Sequence, residues 1–209
     1  MHWGDILIAI VDYGLGNLRS VSKAVEKLGA EAEVTDNPER IEKADGIILP
    51  GVGAFHVGMQ NLERLNLFPV LHEAISKGTP FLGICLGFQI LFSQSEEHGI
   101  CKGMDIIKGK VKRFTNKLKV PHMGWNQVKF KTKNSKLKIF NEIPDNSYFY
   151  FVHSYYAEPE DENIIIAKTE YGYKFTSAIN KNNIWGVQFH PEKSGDIGLK
   201  VLRNFLSLC

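Results

Sequence analysis

The sequence predicts an α/β fold in which a central, mostly parallel mixed sheet is flanked by helices, and three observations support this. Short, wholly apolar runs such as Ile6–Val11 and Phe81–Ile84 are typical of strands that are buried on both faces. In the first half of the chain these runs alternate with segments of helical periodicity, the pattern of parallel βαβ units. In the second half, strand-like segments follow one another, which indicates a mixed sheet.

The elements of the first half follow in order. The expected strands are Ile6–Val11, Glu31–Thr35, Gly46–Leu49 and Phe81–Ile84. The first helix has apolar residues at helical spacing, can be capped by Asn17 and ends at Gly29. Further helices are expected at Leu67–Lys77, which Gly78 ends, and at Leu86–Phe92. This order of elements predicts a doubly wound sheet.

The second half is rich in strands and closes with a helix. The expected strands are Lys108–Phe114, Gln127–Phe130, Tyr148–Tyr156, Ile164–Thr169, Lys174–Asn180 and Ile184–Phe189. The segment from Lys181 to Asn183 is a plausible hairpin turn, and Asp196–Leu208 is the expected closing helix. Since no repeat or linker divides the chain, we expect one domain that spans residues 1–209.

Composition and charge favour a cytoplasmic protein without a metal, a cofactor, a nucleic-acid partner or a membrane segment. The net charge is +2, and the lysines between Lys108 and Lys138 alternate with apolar residues, which favours a solvated sheet face over a nucleic-acid site. The cysteines (Cys85, Cys101 and Cys209) have neither a disulfide nor a zinc pattern, and Cys101 and Cys209 are interpreted as structural or incidental. We find no signal peptide and no membrane-length apolar run.

The segment Gly83–Gly87 is the most specific chemical feature. It follows an apolar strand and begins a helix, as a nucleophile elbow does, with Cys85 in the place of serine. The helix N-terminus favours the thiolate form, and the N–H of Leu86 would lie beside the sulfur, where it could bind a developing oxyanion. A buried core cysteine between two glycines is the alternative on these residues alone.

His190 is the best candidate for the base that a cysteine nucleophile needs, because it ends an apolar strand. In an extended segment, residues two apart point to the same side, so Glu192 could hold His190 in one tautomer. A surface pair is the alternative. The glycine-rich loop Pro50–Phe55 also follows a strand and could direct a backbone N–H at a substrate carbonyl, although the loop on its own slightly favours an ordinary turn. Asp12–Asn17 lacks the third glycine of a dinucleotide site, so NAD binding is not expected.

Taken together, these motifs resemble the triad-type class I glutamine amidotransferases over essentially the whole chain. The blocks that carry the resemblance are Asp12–Asn17, Pro50–Phe55, Gly83–Gln89, Pro121–Asn126, Tyr150–Tyr155 and Gly186–Ser194. The second, fourth and fifth are most similar to the glutaminase subunits of imidazole glycerol phosphate synthases. The resemblance implies a single-domain, flavodoxin-like fold with a nucleophile elbow. Leu15 departs from members that have proline there, which does not affect the triad.

The resemblance also implies roles for individual residues. Cys85 would attack the side-chain amide of glutamine, His190 would transfer protons, and Glu192 would orient His190. The groups that would hold the oxyanion are the N–H of Leu86 and the backbone around Gly51 and Val52. The residues that would bind glutamine are Gln89 and the backbone of Ser154 and Tyr155.

The implied partner is a cyclase subunit, a (β/α)₈ barrel on another chain, which receives the ammonia within a heterodimer. The cyclase would make imidazole glycerol phosphate and an aminoimidazole carboxamide ribonucleotide in histidine biosynthesis. The expected docking residues are Asn17, Trp125, Tyr150 and Lys193. Glutamine hydrolysis would be slow until the partner binds its substrate, and rotation of a peptide in Pro50–Gly53 is a candidate switch.

Three alternatives stay open on the sequence. The chain could be the glutaminase subunit of a different synthase, for example one that amidates a sugar. It could be a hydrolase or protease with the same elbow that acts alone, although Gln89 and the His190–Glu192 pair argue against this. It could also be a non-catalytic binding module, although all three triad positions are filled.

Overall fold

The computed structural model describes residues 6–115, 117–131 and 135–209, so the first five residues of the expected domain lie outside the described residues. The strands are β1 (Leu7–Val11), β2 (Glu31–Thr35), β3 (Gly46–Leu49), β4 (Phe81–Ile84), β5 (Phe92–Ser95), β6 (Cys101–Lys102), β7 (Ile107–Arg113), β8 (His122–Phe130), β9 (Ser147–His153), β10 (Tyr155–Pro159), β11 (Ile165–Tyr171), β12 (Tyr173–Lys181) and β13 (Ile184–Val187). The α-helices are α1 (Leu18–Lys27), α2 (Pro38–Glu42), α3 (Phe55–Arg64), α4 (Phe68–Lys77), α5 (Leu86–Ile90) and α6 (Gly195–Leu206). Short 3₁₀ helices lie at Ser135–Phe140, Glu162–Ile164 and Pro191–Lys193.

The predicted central mixed sheet is present and contains nine strands within the described residues, in the order β2-β1-β3-β4-β13-β12-β11-β8-β9. The strands from β2 to β13 in this order pair in parallel, and those from β13 to β9 pair antiparallel. The antiparallel β12–β13 hairpin turns at Asn182, which has a φ of 55°. The predicted hairpin is therefore confirmed.

The sheet has an apolar core on each face, as a doubly wound fold requires. Alternate residues of β1 point to opposite sides, so Ile8 and Ile10 pack in one core while Ala9 and Val11 pack in the other. Helices α1 and α6 cover the first core, and α3 and α4 cover the second. Asn17 caps α1 by accepting a hydrogen bond from the backbone of Ser20, and Gly78 ends α4 in the left-handed conformation.

The structure differs from the sequence prediction around a second, four-stranded sheet of order β10-β7-β5-β6. The segment Tyr148–Tyr156 was predicted to be one strand, but it breaks at Ser154, since β9 pairs with β8 and β10 pairs with β7 in the other sheet. The helix predicted at Leu86–Phe92 ends at Ile90, because Phe92 begins β5 and pairs with Ile107. Helices α2 and α3 were not predicted. The strands depart from the prediction because their pairing partners are distant in sequence.

The carboxyl ends of neighbouring parallel strands meet at one edge of the central sheet. There, Tyr13 follows β1, the loop Pro50–Gly53 follows β3, Cys85 follows β4 and His190 lies beyond β13. Such an edge is where open α/β sheets place their sites. Along the described parts of the chain, no helix is both long and apolar enough to cross a membrane. On β7, Lys108 and Lys110 are exposed while Ile107 and Val111 are buried, as a solvated sheet face requires.

Candidate active site

Cys85 occupies a strained turn between β4 and α5. Its backbone has a φ of 53° and a ψ of −106°, a conformation that non-glycine residues rarely adopt and that costs about 1–3 kcal/mol. The Cys85 N–H donates to the carbonyl of Val187 at 2.8 Å, which ties the turn to β13. A Cβ at Gly87 would lie 1.8 Å from the carbonyl oxygen of Leu49, so this close approach requires glycine. The predicted elbow geometry is present.

His190 and Glu192 form a buried pair. The Nδ1 atom of His190 lies 2.8 Å from Oε1 of Glu192, and their side chains are only 2% and 1% exposed. Burial lowers the pKa of His190, but the negative charges of Cys85 and Glu192 outweigh burial and raise the pKa to about 10. Among the described residues, the Nε2 atom of His190 has no hydrogen-bond partner. The imidazole can therefore be protonated, and its Nε2 atom is available to donate that proton.

The loop after β3 presents a carbonyl group to the elbow. The oxygen of Gly51 accepts a hydrogen bond from the Leu86 N–H at 3.3 Å. The hydroxyl of buried Tyr13 donates to the carbonyl of Pro50 at 2.8 Å and so holds the preceding peptide. The expected oxyanion groups of Gly51, Val52 and Leu86 are thus adjacent, but the Leu86 N–H is already engaged by the loop.

A cavity of about 470 Å³ opens beside Cys85 and is also lined by Gln89, Ser154 and Tyr155. The Nε2 atom of Gln89 donates to the carbonyl of Tyr155 at 2.8 Å and to Oε1 of Gln188 at 3.0 Å. In turn, Nε2 of Gln188 lies 3.6 Å from the sulfur of Cys85 and donates to it. The structure therefore brings together the residues predicted to bind the substrate amino acid and the nucleophile.

Three residues at this site were missed in the sequence. Glu97 lines the cavity and accepts a hydrogen bond from the backbone N–H of Phe55 at 2.6 Å, which caps α3. Gln188 is fully buried in an otherwise apolar segment, and this break in the pattern is a signal that could have identified it. Tyr13 lies in the block Asp12–Asn17, which contributes to the family resemblance, but no role was assigned to Tyr13 itself. Glu97 has no local signal, because its contacts come from distant segments.

The expected docking residues lie on or near the carboxyl edge of the sheet. Trp125 and Tyr150 face each other across β8 and β9, with ring centroids 6.1 Å apart, and Trp125 is 56% exposed. Met123 and Tyr148 extend this exposed face. Lys193 lines the cavity next to Cys85. Asn17, the fourth expected docking residue, is at the N-terminus of α1, where it acts as the cap.

The described cysteines and acidic residues are not grouped as a metal site would require. In the described ranges, no group of three or more His, Cys, Asp or Glu side chains could hold a metal ion. All three cysteines are free thiols. Two other clefts, of about 580 and 600 Å³, are lined by residues around Phe140 and Lys129 and contain no nucleophilic thiol.

The chain is similar to proteins of known family. The profile of the family described as glutamine amidotransferase class-I matches residues 9–208. The "Imidazole glycerol phosphate synthase subunit HisH" of Moorella thermoacetica is 52% identical over 198 residues, which cover 95% of this chain and 93% of that protein. The protein of the same name from Methanocaldococcus jannaschii is 52% identical over 202 residues, which cover 97% and 100%. A chain of PurLQS from Thermotoga maritima has the same fold, with a TM-score of 0.75 at 19% identity over 97% of this chain and 98% of that one.

Proposed function

The chain belongs to the class-I glutamine amidotransferase family, and from this premise we propose that it is the glutaminase subunit of an imidazole glycerol phosphate synthase. The observation that carries the catalytic part is the strained Cys85 turn, which lies beside the buried His190–Glu192 pair and opens into a cavity lined by Gln89. Relatives about half identical over nearly the whole chain carry the name of that subunit. We propose that residues 1–209 form one amidotransferase domain.

In the proposed reaction, the Cys85 thiolate attacks the side-chain amide carbon of glutamine. Protonated His190 transfers its proton to the amide nitrogen as the C–N bond breaks, which releases ammonia and leaves a thioester. His190 then accepts a proton from water while the hydroxide adds to the thioester carbon. Expulsion of the Cys85 thiolate yields glutamate and restores the starting ion pair. Glu192 keeps the Nδ1 atom of His190 engaged, so that Nε2 performs the transfers.

We propose that the oxyanion is bound by the N–H groups of Leu86 and Val52 once the Gly51–Val52 peptide has rotated. Before rotation, the Gly51 carbonyl accepts the hydrogen bond of Leu86, so one donor is occupied and the other is turned away. The absence of one such donor typically lowers the rate by roughly 10²–10³. This arrangement supports slow hydrolysis by the isolated chain and a rotated state that partner binding favours.

The cavity suits an α-amino acid with an uncharged side chain. Among the described residues that line it, Glu97 is the only acidic one, and its carboxylate can pair with the α-ammonium group of glutamine. Gln89 and the backbone of Ser154 and Tyr155 supply uncharged polar contacts beside Cys85. We propose these residues as the glutamine-binding set.

We further propose that ammonia passes to a cyclase subunit with a (β/α)₈ barrel, bound as a heterodimer over the exposed face that includes Trp125 and Tyr150. Lys193 and Asn17 complete the proposed interface. The products of the complex would be imidazole glycerol phosphate and an aminoimidazole carboxamide ribonucleotide, made for histidine biosynthesis in the cytoplasm.

The deciding experiment measures glutamate production by the purified chain, first alone and then with the cyclase subunit and its phosphoribulosyl substrate. We expect little activity alone and a large rise with both. Cys85→Ser should abolish glutaminase activity and leave ammonium-driven synthesis by the complex intact. Strong activity that the partner does not change would indicate an independent hydrolase. A reactive Cys85 without stimulation would indicate the subunit of a different synthase, for example one that amidates a sugar.

A further inference from the structure

Two buried histidines that the proposed reaction does not use lie in series at the glutamine cavity: His153 is part of the cavity wall, and His122 lies behind it. His122 and His153 are only 3% and 6% exposed. The Nδ1 atom of His122 lies 3.0 Å from Nε2 of His153, whose own Nδ1 lies 2.8 Å from the carbonyl oxygen of Tyr155. At the other end, Nδ2 of Asn126 lies 3.1 Å from Nε2 of His122. These contacts form one continuous chain.

Only one placement of the protons satisfies this chain while both rings are neutral. A carbonyl oxygen can only accept, so His153 carries its proton on Nδ1 and accepts at Nε2. His122 must then donate from Nδ1 and accept at Nε2 from the amide nitrogen of Asn126. The second N–H of that amide donates to the carbonyl of Glu170 at 2.9 Å. Every hydrogen bond therefore points from Asn126 towards Tyr155.

Burial keeps both rings neutral at physiological pH. Burial lowers the pKa of His122 to about 4. For His153, burial lowers the pKa by more than the hydrogen bond to the Tyr155 carbonyl raises it. Repulsion from the protonated forms of His122 and His190 lowers it further, so that the pKa is about 3. The His122 ring is also stacked between Phe151 and Tyr171, with ring centroids 5.0 and 4.1 Å away. Neither ring can readily change its orientation or its protonation state.

The chain ends on an atom that belongs to the glutamine cavity. The carbonyl of Tyr155, to which His153 donates, also accepts the 2.8 Å hydrogen bond from Gln89. Gln89 in turn contacts Gln188, which donates to the sulfur of Cys85. The direction of the Tyr155 carbonyl thus determines how the Gln89 amide is oriented beside the nucleophile.

We propose that His153, supported by His122, is a positioning residue that sets the direction of the Tyr155 carbonyl and thereby the affinity of the cavity for glutamine. The inference rests on the proposed function, because the cavity is taken to bind glutamine. A histidine that only fills the core would affect the amount of folded protein but not the Michaelis constant of the folded enzyme.

The test compares two substitutions of His153 in the complex with the cyclase subunit. His153→Asn keeps an amide donor near the position of Nδ1, whereas His153→Leu removes the donor at similar volume. We expect His153→Leu to raise the KM for glutamine about tenfold, the usual loss for one hydrogen bond, with a much smaller change in kcat. His153→Asn should lie closer to the wild type. His122→Leu, which removes only the support, should raise KM about threefold.

Controls separate the possible failures. His72→Leu, at an exposed position of α4, should leave KM unchanged, and ammonium-driven synthesis should persist in every folded variant. A wild-type KM in both His153 variants would overturn the inference while leaving the proposed function intact. If the wild-type complex does not hydrolyse glutamine, ¹⁵N NMR of the imidazoles still tests the hydrogen-bond chain from Asn126 to Tyr155. Both histidine rings should be neutral Nδ1–H tautomers at pH 7, and any other result refutes the proposed chain.

Discussion

Replacement of Gly51 by alanine should disable the oxyanion loop through a steric conflict. The new Cβ would lie 2.1 Å from the hydroxyl oxygen of Tyr13, 2.9 Å from Cβ of Leu86 and 3.0 Å from the backbone nitrogen of Gly87. Tyr13 is fully buried and its hydroxyl is bonded to Pro50, so its side chain cannot move aside cheaply. Gly51 is not among the described glycines with positive φ. Close packing, and not a positive φ, therefore accounts for glycine at position 51.

The effect of Gly51→Ala on stability and rate depends on how far the oxyanion loop is displaced. Overpacking of this kind costs about 1–3 kcal/mol of stability, which the fold can tolerate. A loop displaced enough to misplace one oxyanion donor should lower the stimulated rate by roughly 10²–10³. We expect the basal rate to fall less, because the unrotated peptide does not supply the second donor. Adding Tyr13→Phe should restore only part of the rate, because Leu86 and Gly87 still crowd the new Cβ.

The assay is glutamate production by the complex, with and without the cyclase substrate. Gly78→Ala is the matched control, since Gly78 has a φ of 91° but no neighbour within 4 Å of an added Cβ, and it lies outside the site. Ammonium-driven synthesis should be unchanged in both variants. Gly51→Ala with wild-type basal and stimulated rates would refute the steric argument. Equal losses in the two states would retain the steric argument but count against the loop as a switch.

Further outcomes are expected at other positions. Glu192→Gln should lower kcat by roughly 10⁴, the loss typical of this change in Ser-His-Asp triads. It should also move the alkaline limb of the pH–rate profile to lower pH, because the carboxylate helps to raise the pKa of His190 to about 10; an unmoved limb would contradict this. Glu97→Gln keeps an acceptor for the α3 cap but should raise the KM for glutamine at least about tenfold, as expected for a lost charge-assisted hydrogen bond. This prediction fails if Glu97→Gln raises the KM for a glutamine analogue that has no amino group by the same factor. In chemical denaturation, stability should fall between pH 6.5 and 4, since unfolded His122 binds a proton near 6.5 and folded His122 only near 4. At pH 5 this difference in proton binding lowers the free energy of unfolding by about 2 kcal/mol, and His122→Leu should abolish that loss.

Local patterns in the sequence were sufficient to predict the strands that position the site, the Cys85 turn and the His190–Glu192 contact. The bounds of β2, β3 and β4 agree with prediction because apolar runs and their flanking turn residues are local signals. The elbow at Cys85 was predictable for the same reason, as its strand, glycines and helix are contiguous. The contact between His190 and Glu192 spans only two residues and is also present as predicted.

Contacts between distant segments decided the rest. The break at Ser154, the orientation of the Gly51 carbonyl and the inclusion of Glu97 in the cavity depend on partners more than 30 residues away. The histidine chain is likewise visible only after β8 and β9 have paired, which places His122 opposite His153. The sequence alone therefore determined which chemical groups are available and which local turns present them. Only the tertiary structure decided which buried polar atoms satisfy one another, because hydrogen-bond partners are selected by proximity in space and leave no periodic trace along the chain.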